Sequence, residues 1–277
     1  QKSPESQKYF LKDRTSDSYW GNVVEISKEF TSDALLAVVL WYSNNNTGRF
    51  SAECETPSSI IKLAYKILNP KNDRVADLCS GVGNFLTFAA LQNDECSLYG
   101  VDIQIQAKEI SEIRLSIFNN EVEIELGSAL EISKDKKFNK IFCNYPWGIR
   151  PQYMLGVERK LNTFDERMPE LKKIAIADWY FILNVVDHLS ENGKAVVVTT
   201  NGITWNGGAS KKIRERLIKM GFLEAVIALP QKMFASTAIA TSILVLSKNN
   251  FESVQFVDAS ELATVGRRQN EFSLRSL

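Results

Sequence analysis

Histidine is nearly absent from this 277-residue chain, and the four cysteines (Cys54, Cys79, Cys96 and Cys143) include no C-x-x-C pair. With His188 alone beside them, the spacing of a zinc site is missing. No Cys-His or Ser-His constellation points to nucleophilic catalysis. Such thiols read as reduced and buried, as in a cytoplasmic protein. A surplus of positive charge is missing too, since 33 basic residues balance 33 acidic ones. Chains that grip DNA unaided usually carry a basic excess to neutralise phosphates. The balance argues against independent tight binding, though not against a local basic patch or a partner that supplies one. No apolar run approaches the roughly 20 residues of a membrane span. The polar start, Gln1-Lys2-Ser3-Pro4-Glu5, does not read as a signal peptide. What is present is the composition of a globular protein, 44% apolar and 24% charged, with length for one large α/β core and a small extension.

Periodicity gives the order of elements. Residues 1–50 read as a helical extension, with Ser32-Asp33 capping a helix over 34–41. Thr56 suits an N-cap and Pro57 the first position of a helix that Asn69-Pro70 ends. From Arg74 strands and helices alternate. Strands are expected over 75–79, 98–103, 122–126, 140–143, 195–199, 223–229 and 242–246, with 254–257 a further candidate. Helices are expected over 84–91, 106–118, 178–189 and 210–220. Such alternation implies a doubly wound, mostly parallel sheet covered on both faces. The domain boundaries read as an extension over 1–50, a main domain over 51–260 and a tail over 261–277.

Three stretches carry chemistry. Asn144-Tyr145-Pro146-Trp147-Gly148 follows the apolar run 140–143, so an amide, a proline and an indole project from a strand end. That is where open α/β sheets bind ligands. An amide acceptor, a stiffened turn and a flat stacking face suit a heterocycle with an exocyclic amine. The same residues also fit an ordinary turn with a core tryptophan. Upstream, Asp77-Leu78-Cys79-Ser80-Gly81-Val82-Gly83-Asn84 joins the first strand to the first helix. Its glycines allow a sharp turn and close ligand approach, and the helix start offers free N–H groups. It lacks the third glycine of the dinucleotide fingerprint and the lysine of a P-loop. Asp102 ends the second strand, where an acid can accept from ribose hydroxyls. Together these favour a nucleoside cofactor.

In order and spacing, Thr56-Pro57, the stretch from Asp77 to Gly83, Asp102 and Asn144-Tyr145-Pro146-Trp147 resemble the S-adenosylmethionine-dependent adenine-N6 DNA methyltransferases. They are most similar to modification subunits of type I restriction–modification systems. Asn192-Gly193, the stretches 214–229 and 229–241, Val257-Asp258-Ala259-Ser260 and Gly266-Arg267-Arg268 extend the resemblance over about 48–270. It implies a Rossmann-like, seven-stranded methyltransferase fold. It also implies that Phe50 and Thr56-Pro57 pack against the methionine end of S-adenosyl-L-methionine. Asp77, Gly81 and Gly83 would hold its amino acid moiety, flanked by Ser80 and Asn84, and Asp102 its ribose. Asn144 and the Tyr145 carbonyl would accept from the N6 amine of an adenine flipped out of DNA, on Pro146's turn, while Trp147 stacks on the base.

Three departures stand out: tyrosine at 145 where proline is usual, Ser128 where an acid often meets the cofactor's adenine, and a longer segment between Phe50 and Thr56. Family chains are usually longer at both ends, so this one reads as a fragment or a minimal form. Without a target-recognition domain, the resemblance implies a sequence-reading specificity subunit as partner and, beyond it, a restriction subunit. Two alternatives stay open, a protein-glutamine N5 methyltransferase and a cofactor-binding scaffold that does not catalyse. His188 reads as structural. The basic cluster Lys211, Lys212, Arg214, Arg216 and Lys219 reads as a solvated helix face, with DNA phosphates the other reading, and the polar stretch 149–173 as a loop that closes over the base.

Overall fold

Apolar side chains alternate between two faces along the central strands, so one sheet separates two cores. The computed structural model describes residues 56–156, 168–234, 237–266 and 270–272. In it α1 (Ser58–Leu68) leads into β1 (Arg74–Asp77), α2 (Asn84–Gln92), β2 (Ser97–Asp102), α3 (Ile105–Leu115) and β3 (Val122–Leu126). Then come β4 (Phe138–Cys143), α4 (Asp178–His188), β5 (Leu189–Thr200), the short α5 (Gly202–Trp205) and α6 (Gly208–Lys219). The last strands of the sheet are β6 (Leu223–Ala228), β7 (Thr241–Ser247) and β8 (Gln255–Asp258). The expected helical extension over 1–50, including Phe50, and the final residues of the tail lie outside the described residues.

Val75, Phe142, Val196 and Val198 face one core, where α1 and α2 bury Ile60, Leu68, Phe85 and Leu86. Ala76, Ile141, Ala195 and Val197 face the other, beneath Trp179, Ile182 and Val186 of α4 and Ile213 and Leu217 of α6. Each large apolar side chain removed from water contributes about 1.5–3 kcal/mol. The two-face pattern of the strands therefore dictates helices on both sides.

The sheet order is β3-β2-β1-β4-β5-β7-β6-β8. All pairs are parallel except those of β7, which runs antiparallel to both β5 and β6. The segment left as a candidate at 254–257 is the eighth strand, parallel to β6 at the edge. β5 starts earlier than its apolar run, directly after α4, because the register slips between Phe138 and Lys140. His188 is buried, its Nδ1 2.8 Å from the Lys136 carbonyl, in the structural role expected of it.

One local expectation fails. Thr56 does not cap α1; Pro57 takes the N-cap position, and its carbonyl accepts from the N–H groups of Ile60 and Ile61. The Thr56 hydroxyl is engaged elsewhere.

From β1 the chain steps to β2 and β3 in one direction, and β4 and β5 lie in the other. This reversal opens a crevice beyond the carboxyl ends of β1 and β4. Asp77 is level with Phe142 across that pair. The glycine turn and the Asn-Tyr-Pro-Trp turn therefore open side by side.

Candidate active site

The glycine turn is shaped mainly by backbone. Gly81 and Gly83 adopt φ of +51° and +79°, conformations that side chains disfavour. A Cβ on Gly81 would point into open space, whereas one on Gly83 would lie 2.4 Å from Ser111 Oγ of α3. Gly81 thus keeps the crevice wall bare, and Gly83 lets two helices meet. The turn is tied down at both ends: Ser80 N donates to Val101 O at 3.0 Å, and Gly83 N to Ser80 O at 2.9 Å.

Asp102 holds this turn as well as facing the crevice. Its Oδ2 accepts from Gly81 N at 2.9 Å and its Oδ1 from Gln104 N at 2.9 Å. Half-buried, it retains lone pairs for further donors.

Asp77 is buried, and its Oδ1 accepts a long bond, 3.3 Å, from Cys79 N. Burial pushes its carboxyl up to about 8; the Cys79 amide opposes this, while neighbouring Asp102 adds to it. A cation placed beside Asp77 would restore the ionised form. The thiols of Cys79 and Cys143 meet between the two strand ends. The bond to Cys143, then burial, pushes Cys79 well above the usual thiol range, which favours the neutral thiol.

The second turn is held by side chains. Asn144 Nδ2 donates to Thr56 Oγ1 at 2.9 Å, while its Oδ1 is buried and meets no partner among the described residues. Tyr145 points into the core, its ring parallel to Phe181 with centroids 5.0 Å apart and its hydroxyl bonded to Thr199. Only its backbone is left for the crevice. Pro146 is exposed. Trp147 is half-buried; its Nε1 donates to Val198 O at 3.3 Å, and Phe234 meets its ring edge-on at 4.8 Å. Gly148 N donates to Asp178 Oδ1 at 3.3 Å, and Ala177 N to Ile149 O at 2.7 Å, fixing the turn to the start of α4. Burial raises the Asp178 carboxyl, against the opposing pull of the Gly148 amide and the Thr200 hydroxyl.

Asp77 thus stands level with Phe142, just before the Asn144-Tyr145-Pro146-Trp147 turn, with Gly81 bonded to Asp102 on one side and Asn144 to Thr56 on the other. Three side chains expected near the cofactor have other neighbours in the fold. Ser80 Oγ lies under Gly100 rather than towards the opening. Asn84 Oδ1 accepts from Arg114 Nη1 at 2.6 Å. Ser128 Oγ donates to Leu155 O at 2.9 Å and caps Leu130 N at 3.2 Å, so its hydroxyl anchors the loop after β4.

Sequence reasoning missed the supports. Arg114, fully buried on α3, donates to Val82 O at 2.8 Å and so braces the glycine turn from beneath. Phe234, Thr199 and Asp178 brace the other turn. Phe234 stood inside a stretch quoted for its resemblance, the only signal that marked it. No cluster of three or more metal-ligating side chains occurs among the described residues.

Known proteins resemble this chain over most of its length. The chain is 27% identical over 271 residues to a type I restriction enzyme methylase subunit, MpnII, of Mycoplasma pneumoniae, with 88% of this chain and 49% of that protein covered. The MjaIX methylase subunit of Methanocaldococcus jannaschii is 26% identical over 80% of this chain and 43% of its own length. The chain therefore spans about half the length of the curated relatives it matches. A type I restriction-modification methyltransferase subunit from Streptococcus thermophilus shares the fold, with TM-score 0.69 and 22% identity over 82% of this chain and 53% of that one. Residues 35–277 match the N-6 DNA Methylase family, and the chain belongs to it.

Proposed function

We propose that this chain transfers a methyl group from S-adenosyl-L-methionine to the N6 amine of adenine in DNA, as the catalytic part of a type I modification enzyme. The observation that carries the reading is the Asn144 amide oxygen: buried, unpartnered among the described residues, and beside the glycine turn. A buried acceptor without a donor is costly, and an amine N–H supplies one.

The residues fit the cofactor. Burial raises the Asp77 carboxyl to about 8, so a cation beside it would favour the ionised form, Asp102 has acceptor capacity, and Gly81 leaves room for close approach. When bound, the cofactor supplies an electrophilic methyl group. Asp77 and the backbone of Gly81 and Gly83 would hold its amino acid end and Asp102 its ribose.

An adenine amine is a weak nucleophile because its lone pair is delocalised into the ring. Asn144 Oδ1 and the Tyr145 carbonyl, accepting its two N–H bonds, favour a pyramidal nitrogen. They also stabilise the positive charge that grows as it attacks. Trp147 and Phe234 give the base aromatic walls. The Thr199 and Phe181 contacts of Tyr145 replace the stiffness that a proline would give. A specificity subunit that reads DNA, with a restriction subunit beyond it, completes the proposed assembly.

Transfer of labelled methyl groups to DNA and to protein tests the reading. Asn144→Ala should lower transfer to DNA by at least about a hundredfold while cofactor binding, followed by calorimetry, persists. Unaltered transfer by that variant, or transfer to protein alone, rejects it.

A further inference from the structure

Thr56 stands where the resemblance expects a cofactor contact and where sequence pattern expects a helix cap. Its hydroxyl instead lies 2.9 Å from Asn144 Nδ2, 88 positions away. An asparagine amide has a donor end and an acceptor end of nearly equal size. Turned one way, Asn144 offers an acceptor to an incoming amine; turned the other, it offers two donors to a group that is itself a donor. Among the described residues, Thr56 is the partner that meets the amide's donor end, while Oδ1 is buried without one; a hydroxyl can also donate, so what Thr56 fixes is the place of the amide.

We infer that Thr56 is a positioning residue that holds the Asn144 side chain in place, so that its amide is already set at the strand end when the target amine arrives. This rests on the reading of Asn144 given above. It differs from the role suggested by sequence: Thr56 acts through Asn144 on the target side, rather than by holding the cofactor. Pro57 reinforces the arrangement. Its carbonyl anchors the first turn of α1, and the helix buries Ile60, Ile61 and Ala64 against the sheet. Thr56 therefore stands directly before a well-anchored helix, the kind of support an orienting group needs.

The test compares Thr56→Val, which keeps the shape but removes the hydroxyl, with Thr56→Ser, which restores it. In single-turnover transfer to unmethylated DNA at saturating cofactor, Thr56→Val should slow the methyl-transfer step roughly tenfold to a hundredfold. Its cofactor affinity by calorimetry should stay within about threefold, and Thr56→Ser should recover most of the rate. A second readout needs no turnover. The side-chain amide protons of Asn144, followed by NMR in 15N-labelled protein, should exchange with solvent faster in Thr56→Val than in the unaltered chain.

Unchanged rate in Thr56→Val, a loss recovered by raising cofactor concentration, or unchanged amide exchange would each overturn the inference. If Asn144→Ala also transfers at the unaltered rate, the functional reading falls with it. If Asn144→Ala is inactive while Thr56→Val is not, only the inference falls. Where the isolated chain gives no measurable transfer, amide exchange alone decides.

Discussion

The two turns that meet between β1 and β4 are built by opposite means. The glycine turn is made chiefly by its own backbone, by an acid at the end of the next strand and by one arginine below. The Asn-Tyr-Pro-Trp turn is held by side chains and carbonyls from other elements. Its partners Thr56, Thr199, Val198 and Asp178 lie 88, 54, 51 and 30 positions away. The first shape is local and the second is a product of the whole fold. Substitutions in the first should therefore act through ligand affinity or the brace beneath, and those in the second through the alignment of the turn.

The hardest blow to this contrast is aimed at Arg114, which reaches the glycine turn from further along the chain than Asp102 does. Arg114→Leu leaves the Val82 carbonyl and Asn84 without their buried donor. It should cost about 3 kcal/mol, or roughly 6–12 °C in a protein of this size, by thermal denaturation. A smaller change would mean the turn is even more self-sufficient than described.

Asp77→Asn sharpens the same side. It should weaken cofactor binding by roughly tenfold or more, since about 1.4 kcal/mol is a factor of ten, while easing the folding of the unliganded protein. The folded carboxyl sits near 8, whereas an unfolded aspartate ionises near 3.9. The folded state therefore binds the proton more tightly. Its contribution to stability is complete below about pH 4 and declines as pH rises to about 8. Asparagine has no such decline. The melting temperature of Asp77→Asn should gain on that of the unaltered chain between pH 5 and 8, and the gap should stop widening above about pH 8. A gap that closes with rising pH would contradict the buried-acid account.

Tyr145→Phe probes the second turn most gently. It keeps the stacking on Phe181 but leaves Thr199 without its partner, at a cost of about 1–2 kcal/mol. Transfer should fall severalfold with cofactor affinity unchanged, measured by single-turnover kinetics and calorimetry. Equal loss of cofactor affinity would show that the two turns are coupled more closely than their construction implies.

This difference also explains what the sequence revealed. Asp77, Gly81, Gly83 and Asp102 were legible because their roles follow from position on a strand or in a turn. Asn144 and Trp147 were legible as chemistry, but their supports were not. Thr56 before Pro57 looks like a helix cap, and only the fold brings Asn144 to it. Arg114 lies on a charged helix of weak apolar periodicity, where a solvated role is the natural reading. Ser128 suggested a weakened cofactor contact, but its hydroxyl serves Leu155. Tyr145 read as a loss of stiffness, because nothing local shows that Phe181 and Thr199 receive it. The mostly parallel sheet followed from alternation, the strand order did not, and the edge strand β8, exposed along its length, gave the faintest signal.

The reversed strand β7 has one more consequence. Because it runs against β5 and β6, the exit of β6 and the entry of β7 share the crevice end of the sheet, joined at the base by Leu229 N donating to Thr241 O. Phe234 hangs from that connection and reaches Trp147. A ribosome releases β1, β2 and β3 long before this hairpin. The strands that carry the glycine turn thus precede the connection that carries Phe234, and the aromatic enclosure can close only after they have been made.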